Sequence, residues 1–160
     1  MNVLLSAARL PFLLGRLAIV AMVAVGLTGV TSAVAKPAHA TVSASVGARA
    51  VHVAAAKRGA PYQWGAAGPH RFDCSGLTMW VYARVGKRLP RTAAGQYAAT
   101  RHIPASSRRP GDLVFYKTRS GYVYHVGIYA GAGRLCHAPR SGDHVRRTPV
   151  RASAWYARVR

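Results

Sequence analysis

The side chains best suited to covalent chemistry are one cysteine, in FDCSGL at 72–77, and two histidines, in YHVGIYAG at 124–131 and RLCHA at 134–138. A thiol attacks only as thiolate, and Cys74 falls at the predicted first turn of a helix. Free N–H groups and the helix macrodipole favour negative charge there. Ser75 and Gly76 are small enough to let another molecule approach, and the Cys74 N–H would point at an oxyanion formed during attack. A cysteine at a helix start is equally compatible with a small buried hydrophobe, and together with Cys136 it is compatible with a disulfide. No CxxC or clustered Cys/His pair supplies four closely spaced ligands, so a structural zinc site has little support and no metal is expected.

His125 shifts the balance towards catalysis. Val126 and Ile128 share one face of a predicted strand, so His125 projects from the other, and Gly127 permits close packing of a neighbouring element. Twelve residues on, His137 lies in the next predicted strand, reached through the tight turn GAGR. Two strands joined in this way can place both imidazoles on one face, which supplies a base and a group to orient it.

Several elements must hold these residues in place. Residues 48–58, ARAVHVAAAKR, are spaced for one helix, ended by Gly59 and Pro61. Cys74 to Val85 place Leu77, Trp80, Val81 and Val85 at helical spacing, with Asp73 as N-cap. A short helix over 92–100 is capped by Thr92. After Pro110, the segments 113–117, 124–131, 134–138 and 144–150 are β-rich and turn-separated, which predicts antiparallel strands. Helices followed by a run of strands define an α+β domain, with the helices packed on a small antiparallel sheet.

The rest of the chain bounds the compartment and the partners. Residues 1–40 read as a signal peptide: Arg9 and Arg16 precede an apolar run from Leu17 to Val30, followed by Ala-x-Ala cleavage sites ending at Ala35 and Ala40. A retained membrane anchor is the competing reading, although the apolar core is short for one. Either way the positive charge sends the remainder outward. Residues 41–47 read as a linker and 48–160 as one domain, for which a single core is affordable. There are 23 Lys plus Arg against three acids, so polyanionic partners are favoured; an Arg-rich composition from a GC-rich genome would give the same count. No nucleic-acid motif accompanies the charge, and export argues against intracellular DNA.

The stretches APYQWG at 60–65, FDCSGL at 72–77, LPRTAAGQ at 89–96, PGDLVFY at 110–116, HVGIYAGAG at 125–133 and HAPRSGDHV at 137–145 together resemble the NlpC/P60 family of cell-wall cysteine peptidases. The resemblance implies a papain-like fold in which Cys74 is the nucleophile, His125 the base and His137 the orienting residue. It further implies that the Tyr62 hydroxyl helps stabilise the oxyanion and that Asp73 and Ser75 contact the substrate's peptide ends. Asp73 as a helix cap and Tyr62 as a packing aromatic are the structural alternatives. Two positions depart from the family pattern: Ala66 stands where a second glycine is usual, and Cys136 where an aliphatic residue is commoner. Strand alternation turns Cys136 away from His137 and into the core.

The expected activity is exported endopeptidase cleavage of peptidoglycan stem peptides, at the bond between D-γ-glutamyl and a diamino acid, through a thioester and without cofactor. A Cys/His amidase or acyltransferase and a non-catalytic basic wall-binding module are the alternatives. The expected protein is a secreted or wall-associated monomer, without stable membrane insertion after signal cleavage. It meets peptidoglycan and anionic wall polymers but no nucleic acid.

Overall fold

The computed structural model describes residues 41–160, so the expected signal peptide lies outside the described residues. Three helices, α1 (Ala44–Ala55), α2 (Cys74–Arg84) and α3 (Ala93–Ala99), precede six strands: β1 (Arg101–Ile103), β2 (Leu113–Lys117), β3 (Val123–Gly131), β4 (Arg134–His137), β5 (Arg146–Pro149) and β6 (Trp155–Arg158). The strands form one antiparallel sheet in the order β1-β6-β2-β3-β4-β5. This is the α+β architecture expected, with the helices against the central strands.

Strand alternation divides the apolar residues between two faces. Leu113, Phe115, Val126, Ile128 and Cys136 face the helices and pack with Leu77, Val81 and Tyr82 of α2 and Ala50 and Ala54 of α1. On the far face Val114, Tyr116, Tyr129, Leu135 and Tyr156 form a second, smaller cluster. Cys136 therefore sits in the helix-facing core, as alternation predicted, and both cysteines are free.

The first helix starts earlier than its sequence pattern suggests. Ser43 caps α1, accepting from the Val46 N–H at 3.3 Å, so residues 41–47 supply its cap and first turn instead of a linker. The physical reason is a close approach: a Cβ on Gly47 would lie 2.5 Å from the Pro110 carbonyl oxygen. Val42 is buried and donates its N–H to Val159 at 2.9 Å, which ties this segment to the end of the chain. The α2 and α3 caps agree with expectation, Asp73 accepting from Gly76 and Thr92 from Gly95. Strands β1 and β6 carry little sequence signal because they are short and hold Arg101, His102 and Arg158. Arg158 is buried by its ion pair to Asp112 at 2.7 Å. Among the described residues no helix is long and apolar enough to cross a membrane.

Candidate active site

Cys74 is the first residue of α2 and is half-buried. Its position depends on the preceding loop, which closes tightly on the helix start: the Asp73 N–H donates to the Ala66 carbonyl at 2.9 Å, and a Cβ on Gly76 would fall 2.1 Å from the same oxygen. Only Ala132 is a non-glycine at positive φ among the described residues, so Ala66 occupies its place without needing a glycine's freedom.

The two histidines meet as the strand argument requires. His125 Nε2 and His137 Nδ1 are 2.8 Å apart, with the residues only 8% and 6% exposed. Gly127 makes this approach feasible: a Cβ there would lie 2.7 Å from Leu135 Cδ1 and 3.0 Å from His137 Cβ. His137 Nε2 is in turn 3.0 Å from Thr148 Oγ1 on β5, a partner that no sequence signal marks. Tyr116 stacks beside His125, their ring centres 5.9 Å apart.

The thiol reaches the same strand one residue further on, at the Val126 main chain. Tyr129 directs its N–H to Asp112 beside β2, and the alternation of an antiparallel ladder turns Val126 to the opposite, β4 side. β4 ends at His137, so this N–H emerges where the ladder stops. Cys74 and the histidine pair thus converge on the β3 segment His125–Val126, from α2 and from β4 respectively.

The resting electrostatics differ from the sequence expectation of a thiolate stabilised at a helix start. Burial pushes the Cys74 thiol above its ordinary value. Hydrogen bonding from the Val126 main chain opposes this, the Asp73 carboxylate adds to it, and the Ser75 N–H and hydroxyl oppose it less. Burial also lowers His125 to about 3, helped by His137 and Arg151. His137 is lowered to about 4, by burial first and then by Arg146 and Arg151, against Asp143. Desolvation penalises every charged form, so burial favours the neutral thiol and the neutral imidazoles.

Asp73 does more than cap α2. Its carboxylate accepts from Gly76 N–H at 2.7 Å, Gly65 N–H at 2.9 Å, Ser75 Oγ at 3.3 Å and the Arg91 guanidinium, which also donates to Ser75 Oγ at 3.0 Å. Gln96, fully buried, donates to the Ser75 carbonyl at 2.9 Å and to Pro90 at 2.8 Å, and accepts from Thr78 at 2.6 Å. Arg91 and Gln96 belong to LPRTAAGQ, a stretch that carries family resemblance but, as sequence, suggests no role for either residue. Their function is visible only as contacts to Asp73 and Ser75.

A cleft of about 350 Å³ opens over the thiol, lined by Cys74, Asp73, Ser75 and Arg91 on one side and Trp64, Tyr122 and Tyr124 among the others. Tyr62 lies outside that lining. Burial raises its hydroxyl, and the charges of Cys74 and Asp73 raise it further, which registers its nearness to both. Among the described residues no group of three or more His, Cys, Asp or Glu could hold a metal ion.

A thiol at a helix start and a buried histidine pair on an antiparallel sheet are the groups that a papain-like cysteine-peptidase site would use. The chain belongs to the NlpC/P60 family, whose sequence profile matches residues 59–160. It is 48% identical over 113 residues to a probable endopeptidase of Corynebacterium glutamicum, covering 70% of this chain and 52% of that protein. It is 46% identical over 97 residues to the probable endopeptidase p60 of Listeria monocytogenes, covering 61% of this chain and 19% of that one. The chain thus spans from about a fifth to about half the length of these curated relatives. Among solved structures, the NlpC/p60 domain of the peptidoglycan hydrolase SagA superposes with a TM-score of 0.65 at 36% identity, covering 71% of this chain and 98% of that one. The peptidoglycan hydrolase RipB of Mycobacterium tuberculosis gives 0.64 at 31% identity, covering 72% and 65%.

Proposed function

We propose that this domain is a thiol endopeptidase that hydrolyses peptidoglycan stem peptides, at the bond between D-γ-glutamyl and a diamino acid, outside the cytoplasm or at the cell wall. The observation that carries the reading is the 2.8 Å contact between His125 and His137, built beside the strand residue that meets the Cys74 thiol. The relatives' names, endopeptidase and peptidoglycan hydrolase, support the same substrate class.

The hydrogen-bond chain favours one tautomer set for catalysis. With His137 Nε2–H donating to Thr148 Oγ1, His137 Nδ1 accepts from His125 Nε2–H, and His125 Nδ1 keeps its lone pair to receive a proton. In this reading His125 removes the Cys74 proton as sulfur attacks the scissile carbonyl. The Cys74 N–H and the Tyr62 hydroxyl stabilise the oxyanion. The imidazolium then protonates the leaving amine, and water hydrolyses the thioester with His125 again as base. Asp73 acts mainly by holding Arg91 and Ser75 at the cleft wall, where they can bind the polar ends of the peptide.

Digestion of purified sacculi followed by mass analysis of the fragments tests the proposal. Fragments ending in D-glutamate, absent with Cys74→Ala, are expected. Release of intact stem peptides from the glycan would instead identify an amidase, and unchanged sacculi would reduce the domain to a wall-binding module.

A further inference from the structure

Beyond residue 40 the sequence holds three carboxylates, and all three are engaged in ion pairs: Asp73 with Arg91, Asp112 with Arg158 and Asp143 with Arg146. The remaining cations have no acid to neutralise them. On the face of the sheet away from the helices, part of this surplus converges on a cavity. Tyr116, Leu135, His137 and Thr148 line it, together with three arginines, Arg140, Arg146 and Arg151. Its volume of about 360 Å³ lies in the range of small-molecule sites. It shares no lining residue with the cleft at Cys74.

One of the three arginines is held in advance. The Arg151 main-chain N–H donates to the Tyr116 hydroxyl at 3.1 Å, and the Arg151 guanidinium lies 5.2 Å from the centre of that ring. Among the described residues Arg140 and Arg151 have no carboxylate partner, and only Arg146 is paired, with Asp143 at 2.7 Å. Like charges gathered around one hollow repel until an anion stands between them, and the guanidinium fork matches the oxygens of phosphate and carboxylate. A ligand here would not occupy the cleft at Cys74. The cavity has room for an anionic group together with part of the chain that carries it.

We propose that this cavity binds a phosphodiester unit of a polyanionic chain, held by Arg140, Arg146 and Arg151 beside His137. Occupancy brings negative charge towards the imidazole pair, where His137 already faces Arg146, Arg151 and Asp143 besides His125 and Thr148. Docking on a phosphate polymer is thereby linked to the orienting histidine of the candidate active site.

The test reads binding with the full chain as Cys74→Ala, so it does not depend on the peptidase reading. Inorganic phosphate is titrated at constant ionic strength, set with chloride, while NMR signals of His137 and Thr148 are followed. Saturable shifts at both residues are expected, weakened at least tenfold by the double variant Arg140→Gln/Arg151→Gln. The variant Arg49→Gln/Arg88→Gln, with the same net charge but substituted on and near the helices, should bind as tightly as the parent. Absence of a saturable shift, or equal weakening in both variants, overturns the site. A glycerol-phosphate oligomer and a peptide with a free diamino-acid carboxylate are then each set against bound phosphate. Displacement by the oligomer is expected; displacement by the peptide alone, or by neither, overturns the phosphodiester assignment.

Discussion

The cleft at Cys74 and the cavity beside His137 handle charge in opposite ways. In the cleft the Asp73 carboxylate has four partners, and its Arg91 neighbour is neutralised by it, so function there depends on hydrogen-bond geometry. In the cavity Arg140 and Arg151 stand uncompensated at the surface, so function there depends on field strength, which salt screens over about 10 Å at 0.1 M. The histidine pair lies between these regimes, with burial first, and less so the positive charge from the arginine side, holding its pKa values down. Polar groups next to one another can therefore be positioned for catalysis by bonds and tuned by a field.

The largest expected effect belongs to the reacting groups. Cys74→Ala and Cys74→Ser should abolish hydrolysis with the fold intact, and His125→Ala should lose about 10²- to 10⁴-fold, the usual contribution of a general base. His137→Asn keeps a polar partner and should leave measurable turnover, with His137→Ala falling between. Equal rates for His125→Ala and His137→Asn would remove the distinction between base and orienting residue. Because burial raises the Cys74 thiol, its alkylation by iodoacetamide should accelerate only as pH climbs above the ordinary thiol range. Full reactivity already at neutral pH would show a preformed thiolate instead.

The buried imidazoles should also make stability pH-dependent. Their folded values, about 3 and about 4, lie below the unfolded value near 6.5, so the unfolded chain binds more protons in that interval. Stability is therefore complete above about pH 6.5 and declines as pH falls towards 4 and then 3. The expected loss is on the order of a few kcal/mol, since each tenfold weakening of proton binding on folding is worth about 1.4 kcal/mol. Chemical denaturation midpoints measured from pH 7 to 4 should fall in the parent and flatten in His137→Asn; parallel curves would contradict the burial argument.

Smaller changes separate geometry from packing. Asp73→Ala removes the α2 cap and the Arg91 ion pair, and should cost about 1–3 kcal/mol in denaturant titrations while raising KM. High salt should not reproduce that loss, because the bonds are short and largely buried. Cys136→Ala should cost only about 1 kcal/mol, by loss of core volume, with most activity retained. Thiol titration of the folded, active protein should find both cysteines free; a disulfide would end the assignment of Cys74.

Much of the fold and of the candidate site's placement was legible because local rules govern it. The apolar spacing after Cys74, the Asp73 and Thr92 caps and the alternation from Val123 to Gly131 each depend on a few neighbouring residues. So does the opposed facing of Cys136 and His137, which a period of two imposes. The start of α1 was not legible, because residues 41–47 are ordered by Pro110, Gly111 and Val159, far along the chain. The roles of Arg91, Gln96 and Thr148 were hidden for the same reason: their partners lie 11 to 21 residues away in sequence.

The amino-acid sequence by itself determined the candidate reactive groups, their secondary-structure settings and the family, since residue type, spacing and periodicity are local properties. Tertiary structure alone decided the charge state of those groups. A helix N-terminus favours thiolate locally, but burial of the thiol beside Asp73 outweighs it, and desolvation with the nearby arginines keeps both imidazoles neutral. These energies depend on the water removed and on the charges brought close by folding, and neither exists until the helices have closed on the sheet.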